Sequence, residues 1–429
     1  MDAHPVRVLL TDDLRRSRLT VFFRFLLALP HIVWFFGWTG LIQYAAVLAW
    51  LWSLITGQVP EFLHRFLASW VRYGFHVGAY LHLAANPFPG FIGRSGYPVD
   101  LVLPLRPEKQ RRLAIFFRFF LAIPAIVIAA ALAGFAQGGI LFSFFIFGGG
   151  LAGTVALLGW FAALALGRMP AGLRDAGVYG LGYGAQAFAY IFLVTGRYPR
   201  SDPHALGPVW TLPPHEVRLE LADDLRRSRL TVLFRFLLSL PHFVWLVIWG
   251  ALALLALIAN WFVALVRGRP ARPLHRFLSA FIRYTTQVLA FLFLVTNPFP
   301  GFTGGSGYPL EVTLPPPERQ SRWRTLFRGL LAFPAFFVAG AYTYALYAVG
   351  LLGWFYALVR GRMPPGLRDL GAVSLRYLAQ TYAYTYLVTE RYPYASPALR
   401  APPPPEPEAE PEPEAPEPAT VPEPEEPFA

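Results

Sequence analysis

The chain has 429 residues, of which 55% are hydrophobic and only 14% are charged, and it contains no cysteine. This composition is typical of membrane proteins with several helices, and the missing thiols exclude disulfides, thiolate catalysis and thiolate metal sites. The net charge of +12 includes the nine glutamates of residues 401–429, so the preceding part is more basic still. Because the arginines flank apolar stretches, we expect them to meet anionic membrane lipids and not nucleic acid.

One segment of the chain occurs twice almost letter for letter. Residues Leu14–His31 (LRRSRLTVFFRFLLALPH) return as Leu225–His242 (LRRSRLTVLFRFLLSLPH), and weaker versions begin at Gln110 and Gln320. The first and third copies align without a gap over residues 4–97 at a constant offset of 211. The pattern predicts four copies of one unit, arranged as a duplicated pair.

This repeat also predicts the domain organisation. The tail is rich in proline and glutamate, cannot bury a core and is expected to be disordered. It is read either as a solvated spacer or as a docking site for a protein partner or for the chain's own basic loops. The expected boundaries are membrane units at 1–96, 97–203, 215–307 and 308–397, a linker at 204–214 and the tail at 398–429.

The first unit sets the expected order of helices. A basic helix over residues 14–29 is predicted to lie in the membrane interface, and Pro30 is predicted to kink or restart it. Residues 31–55 then carry no charged side chain, and about 20 such residues span the hydrocarbon of a bilayer. A second helix, from about 61 to 85, is expected to return across the membrane. Residues 242–266 and 329–359 repeat the uncharged stretch.

The second unit contains an insertion that affects the expected topology. The stretch from Pro124 to Trp160 is 16 residues longer than its counterpart from Pro334 to Trp354. It could form two spans, but we favour a broken or re-entrant segment, because the arginine clusters at 15–18 and 106–112 then lie on one face. The expected fold is an all-α integral protein of the plasma membrane with about eight transmembrane helices, interfacial amphipathic helices and both termini cytoplasmic.

Short alternating runs precede each basic helix and have the period of a strand. We hypothesise that they pair into a small sheet that joins the units. The runs are residues 5–10, 97–103, 215–221 and 308–314.

The second helices share a polar column. An arginine inside a membrane span is costly and therefore marks a candidate ligand site. The alternative is structural: the arginines snorkel or cap carbonyls, while tyrosine and glutamine join helices by hydrogen bonds. No carboxylate lies in a predicted span, which leaves lipid phosphate, backbone carbonyls or an anionic ligand as partners. The column contains Arg72, Arg283 and Arg376, then Tyr73, Tyr183, Tyr284 and Tyr377, and then Gln186, Gln287 and Gln380, with His76 in the first unit.

A second set of arginines recurs inside the apolar run of every basic helix. Because all four copies have it, we interpret it as anchoring each interfacial helix to lipid and not as four copies of a substrate site. The set is Arg24, Arg118, Arg235 and Arg328.

The sequence contains no HExxH, GxSxG or phosphate-loop motif and no His, Asp and Glu cluster with metal spacing. We therefore expect no catalytic, cofactor or metal site.

The repeated motifs resemble a known family. They are the basic entry with FFRxLLAxPH at 15–31, the WFxALxxGRxP pattern at 160–170 and 354–364, and the exit VTxRYP at 194–199 and 388–393. Together they resemble bacterial membrane proteins that carry domain of unknown function 4389. The resemblance covers residues 4–396 as four units, and it implies an architecture but no reaction.

Two classes of function fit these observations. The first is a non-enzymatic membrane scaffold that binds anionic lipid and recruits a partner through its tail. The second is a transporter or channel for an anionic or lipidic solute, with Arg72, Arg283 and Arg376 along the path. An enzyme acting on lipid is a third class, which the absence of catalytic motifs disfavours.

Overall fold

The computed structural model describes residues 4–134 and 150–399, and the described part is mainly helical. Every unit contains a short helix, a long apolar helix and a second helix of 21 residues. The helices are α1 (Arg18–Phe22), α2 (Arg24–Thr56), α3 (Glu61–Leu81), α4 (Arg112–Phe116), α5 (Arg118–Leu132), α6 (Gly150–Leu166), α7 (Ala171–Ile191), α8 (Arg229–Leu233), α9 (Arg235–Arg267), α10 (Arg272–Leu292), α11 (Arg322–Leu326), α12 (Arg328–Arg360) and α13 (Pro365–Thr385).

Apart from the short helices, the helices form two groups. The long helices are α2, the pair α5 and α6, α9 and α12, and the second helices are α3, α7, α10 and α13. Each second helix packs against the long helix of its own unit, and the second helices also pack in pairs, α3 with α7 and α10 with α13. A short 3-10 helix, Pro203–Leu206, follows α7.

The entry helix breaks at a different residue from the one predicted. It begins at Arg18, is interrupted at Phe23 and resumes at Arg24, whereas Pro30 lies inside the continuous helix α2. A proline removes only one hydrogen bond from the helix ladder. Ala28 and His31, on either side of Pro30, are both buried, and this packing holds the helix continuous there.

The long helix of the second unit is interrupted where the chain is longer. Helix α5 ends at Leu132, and α6 begins at Gly150, whose φ is +66°. A Cβ at Gly150 would lie 2.6 Å from the amide nitrogen of Gly134, so the two helix ends touch. Whether the insertion adds a span falls on residues 135–149, which lie outside the described residues.

The strand hypothesis is confirmed in part, because the alternating runs do pair, but they form two separate ribbons. Ribbon 1 consists of β1 (Arg7–Leu10) and β2 (Val99–Val102), and ribbon 2 consists of β3 (Arg218–Leu221) and β4 (Leu310–Thr313). Both ribbons are antiparallel, with Arg7 opposite Val102 and Arg218 opposite Thr313. Each ribbon therefore joins the start of one unit to the start of the next.

The second helices form a layer between the long helices and the ribbons. Strand β2 packs on α3, β4 on α10 and β3 on α13. Among the described second helices, Phe62 is the only large hydrophobic residue with a strongly exposed side chain. The long and short helices carry most of the exposed apolar residues, including Val33, Leu41, Leu255 and Phe355. The core thus lies around the second helices, and one apolar layer remains uncovered.

Three helices among the described residues are long and apolar enough to cross a membrane: α2, α9 and α12. They indicate that the chain associates with a membrane. The number is smaller than the eight predicted for two reasons. The four second helices contain polar columns and lack the hydropathy of a span, and the long helix of the second unit is divided into α5 and α6, which are apolar but shorter than a span.

The basic loops expected on one face lie at opposite ends of α2. At the start of this helix, the amide of Arg16 donates a hydrogen bond of 3.0 Å to the carbonyl of Gly167. At its end, the amide of Gln110 donates a hydrogen bond of 2.8 Å to the carbonyl of Gly57. The loop of residues 106–112 therefore does not share a side with residues 15–18, because β2 brings the chain back along α3 before that loop.

Candidate functional site

The recurring arginine of the first unit caps the end of the second helix. Arg24 is 3% exposed, and its Nη1 donates to the carbonyls of Tyr80 at 2.7 Å and Ala85 at 2.8 Å. Its Nη2 donates to Oδ1 of Asn86 at 3.1 Å, and its guanidinium lies 4.3 Å above the Tyr80 ring. Carbonyls at a helix C-terminus have no partner within the helix, and a cation there also favours the helix dipole.

The equivalent arginines of the other units repeat the stacking on a ring, and Arg235 and Arg328 also donate to backbone carbonyls. Arg235 donates to the carbonyls of Phe291 and Thr296, Arg118 to the side chain of Gln110, and Arg328 to that of Gln320. Their guanidinium groups stack at 4.0–4.4 Å on the rings of Tyr190, Phe291 and Tyr384. All four arginines are 2–3% exposed and have protein partners, so the structure places them inside the protein and not at a lipid headgroup.

The tyrosine column divides into two kinds. In units 1 and 3, the hydroxyls of Tyr73 and Tyr284 lie 2.9 and 2.7 Å from Nδ1 of His31 and His242. These pairs join each second helix to its long helix. The other two tyrosines are also buried: Tyr183 Oη has no hydrogen-bond partner among the described residues, and the Tyr377 ring packs at a tilt against that of Tyr342, with their centroids 5.2 Å apart.

The glutamines of the column bind backbone groups outside their own helices. Nε2 of Gln186 donates to the carbonyl of Val6 at 2.8 Å, and Nε2 of Gln380 donates to that of Val217 at 3.2 Å. Nε2 of Gln287 donates to the carbonyl of Gly305 at 2.9 Å. Gln186 and Gln380 therefore hold the residues just before β1 and β3 against a second helix. Gln287 holds the exit loop after α10 in the same way.

The arginines of the column do not share one site. Nε of Arg72 donates to the carbonyl of Leu101 at 3.2 Å and lies 3.6 Å from Oδ1 of Asp100. Arg376 is 5% exposed and donates to the carbonyl of Ser396. The side chain of Arg283 is half-buried and makes no hydrogen bond or ion pair with the described residues. None of these three lines the apolar cavity beside α6.

Asp100 is an acidic partner of the column that lies outside the predicted spans. It is 4% exposed, and Oδ1 lies 2.7 Å from Nε2 of His76. Burial alone would raise the pKa of Asp100, but hydrogen bonds from His76 and from the amides of Gly96 and Leu101 outweigh it, so this pKa lies below its ordinary value. The alternation of Tyr97–Leu103 predicted the strand, but nothing in it predicted contact with Arg72 or His76.

A cavity of about 860 Å³ lies between α6, the start of α12 and the chain after α13. Its walls are mainly aromatic and aliphatic, and Tyr377 also contributes to them. Such a cavity has the volume and the apolar character of a small-molecule site. Aromatic residues around it include Phe25, Phe161, Phe333, Phe337, Tyr392 and Tyr394.

Exposed basic residues lie at both ends of the long helices, and we call these clusters the basic margins. At one end of α2, the backbones of Arg15 and Arg168 form a bridge, as do those of Arg226 and Arg362 in the second half. The side chains of all four are exposed. The margins at the other ends contain Lys109, Arg111, Arg112, Arg267, Arg269 and Arg322, which are also exposed.

Residues 4–134 and 150–399 contain no group of three or more His, Asp or Glu side chains that could hold a metal ion.

Comparison with known proteins identifies one family. The model for a domain of unknown function (DUF4389) matches residues 18–92, 229–303 and 322–396, slightly more than half of the chain. No curated protein and no solved structure matches the chain. The three matched segments begin at α1, α8 and α11, and each contains the stacked arginine, the long helix and the second helix.

Proposed function

The chain belongs to the family of the domain of unknown function DUF4389, and from this premise we propose that it is a non-enzymatic membrane scaffold whose basic margins bind anionic lipid headgroups. The observation that carries the proposal is the position of the exposed arginines beside an uncovered apolar helix layer. The apolar layer provides contact with acyl chains, while Arg15, Arg168 and their equivalents lie where headgroups begin.

We also propose that residues 97–203 are a fourth unit of the same kind. The stacking of Arg118 on Tyr190 supports this, because it repeats the stacking of Arg24 on Tyr80. A bacterial origin and a location in the plasma membrane remain predictions from the resemblance. Recruitment of a partner by the tail remains a prediction as well, since residues 400–429 lie outside the described residues.

The lipid proposal is tested by thermal unfolding in mild detergent with added phosphatidylglycerol or phosphatidylcholine. We expect phosphatidylglycerol to raise the unfolding midpoint more, because a ligand that binds the native state stabilises it. Changing Arg15, Arg168 and Arg226 to glutamine is expected to remove most of this difference, since each basic residue near an anionic surface contributes about 1 kcal/mol.

The matched control changes three exposed arginines of the opposite layer, Arg7, Arg94 and Arg218, to glutamine. This variant loses the same charge and should keep the full response. Equal responses of the wild type to both lipids, or equal losses in both variants, would contradict the proposal.

The transport alternative has weaker support. A path for an anion requires cationic groups around a shared space, whereas the described lining of the 860 Å³ cavity includes no arginine. Flux of small anions through reconstituted vesicles that is lost when Arg72, Arg283 and Arg376 are changed to glutamine would favour transport.

A further inference from the structure

We propose that the long helices lie in the plane of the membrane, embedded in one leaflet, and that the chain enters the bilayer from one side without crossing it. This inference rests on the membrane association of the proposed function but not on lipid charge. It replaces the eight-span arrangement that the sequence predicts.

The first observation is the position along the second helices at which ribbon 1 contacts them. The carbonyl of Leu101 in β2 accepts a hydrogen bond from Arg72, in the middle of α3. A Cβ at Gly182, in the middle of α7, would lie 2.9 Å from a methyl of Val8 in β1. A helix of 21 residues is about 31 Å long, close to the 30 Å of a bilayer's hydrocarbon. If these helices crossed the membrane, ribbon 1 would lie near its midplane.

Ribbons of this composition are incompatible with hydrocarbon. Each has only two strands, so its outer edges present backbone groups that water must satisfy. Arg7, Glu220 and Glu311 project exposed charges from the strands. The exit loop after α3 also carries an exposed charge at this position along the helix. Gly93 packs on the backbone of Tyr73, and the next residue, Arg94, is exposed. This layer therefore belongs in water.

The second observation is the length of the apolar surface on the long helices. Helix α2 has 33 residues, and exposed apolar side chains continue from Leu26 to Ile55, a distance of about 44 Å at 1.5 Å per residue. This exceeds the hydrocarbon thickness of about 30 Å. A helix that lies in the plane of a leaflet has no such limit on its length.

The third observation is that both ends of the long helices are basic. A crossing helix is expected to carry its excess of lysine and arginine on the cytoplasmic side. Here Arg15 and Arg168 flank the start of α2, while Lys109 and Arg111 lie beside its end. With the helix in the membrane plane, both margins lie at the headgroups of the same leaflet, which explains the symmetry.

The test measures the depth of three positions along α2. Val33, Tyr44 and Ile55 are 72%, 75% and 73% exposed, and each is eleven residues from the next, which is about three helical turns. They therefore lie along one line parallel to the axis and span about 33 Å. The chain lacks cysteine, so single variants Val33→Cys, Tyr44→Cys and Ile55→Cys accept one nitroxide each.

In vesicles of zwitterionic lipid, relaxation of the nitroxide by oxygen and by a water-soluble nickel complex gives its depth. We expect three equal depths within one leaflet. Depths that pass from one interface through the centre to the other would overturn the proposal, and so would three labels in water. The equivalent positions Val244, Leu255 and Val266, which are 63%, 64% and 71% exposed, provide a second set if a variant fails to fold.

An independent measurement uses a membrane-impermeant maleimide on expressing cells and on inverted vesicles. Ser17→Cys and Lys109→Cys place exposed thiols at opposite ends of α2. If the long helices lie in the membrane plane, both thiols should react in the same preparation, either in the cells or in the inverted vesicles. Reaction of each thiol in a different preparation would show a crossing helix and overturn the proposal. The zwitterionic vesicles separate this test from the lipid proposal, because they contain no anionic lipid and the depth of a label does not depend on the response to it.

Discussion

The carboxylate of Asp100 lies 2.7 Å from the imidazole of His76, and this contact fastens β2 to α3. The aligned position in the fourth unit is Glu311, which is exposed and stands directly opposite Glu220 in ribbon 2. Like charges directly opposite each other destabilise a strand pair. A buried acid therefore holds ribbon 1 to its second helix, whereas the aligned acid of ribbon 2 is exposed.

This difference predicts opposite effects of two matched changes. Asp100→Asn removes the charge that binds His76 and Arg72, and we expect it to lower the free energy of unfolding by about 2–3 kcal/mol. Glu311→Gln removes a repulsion and should leave stability unchanged or raise it slightly. Thermal unfolding in detergent measures both. Equal effects of the two changes would mean that the Asp100 contacts contribute nothing.

The pH dependence of this contact follows from the lowered pKa of Asp100. A carboxyl whose pKa is lower in the native state stabilises it fully above the unfolded value of 3.8. That contribution is lost as the pH falls through the native pKa. The Asn variant should therefore show a weaker loss of stability than the wild type below pH 3.8.

Two histidines predict that the stability of the protein also depends on pH in a milder range than the one set by Asp100. Burial lowers the pKa of His4 and of His215 below 6.5, because the charged imidazolium is poorly solvated there. Below 6.5 the unfolded chain takes up protons before the native one, so stability falls as the pH falls. The double variant His4→Gln, His215→Gln should show a shallower fall between pH 7.5 and 5. An unchanged slope would exclude these two residues as its source.

The sequence predicted the repeat, the long apolar helices and the pairing of strands, because these follow from periodicity within single segments. It did not predict the environment of the second helices. Arg72 looks like an unpaired charge in a span until β2 brings Asp100 beside it. Arg24 likewise looks like a lipid anchor until the end of α3 provides its carbonyl partners. Both errors concern contacts between segments distant in sequence, which hydropathy cannot detect.

The capping role of the stacked arginines predicts that lysine cannot replace them. Arg24→Lys retains the charge but loses the planar fork that reaches Tyr80, Ala85 and Asn86. We expect a loss of about 2–3 kcal/mol in unfolding free energy. The control is Arg65→Gln, which removes an exposed ion pair with Glu61 and should cost less than about 0.5 kcal/mol. A tolerated Arg24→Lys would contradict the capping role.

Close packing of α7 on α5 predicts a strong effect of one methyl group. A Cβ at Gly180 would lie 2.5 Å from the carbonyl oxygen of Leu132, and this backbone atom cannot move without shifting the helix. Gly180→Ala should therefore destabilise the protein by about 1–3 kcal/mol or more. Gly40→Ala, where nothing lies within 4 Å, should be neutral or slightly stabilising, because alanine favours the helix. Similar midpoints for the two variants would argue against the close contact.

The contact between Gly150 and Gly134 predicts that the insertion of the second unit can be removed. Without 16 residues, the segment from Arg118 to Leu166 has the same 33 residues as α12. Deleting residues 135–150 joins Gly134 to Leu151, and we expect one continuous helix with the packing of α5 and α6 on α7 retained. Helix content per residue and the unfolding midpoint should stay close to those of the wild type. A control deletion of 16 residues from the middle of α12, residues 337–352, removes helix that packs on α13 and should abolish folding. Loss of folding in both variants would show that the insertion is part of the fold, and that the two helix ends do not form a helix by themselves.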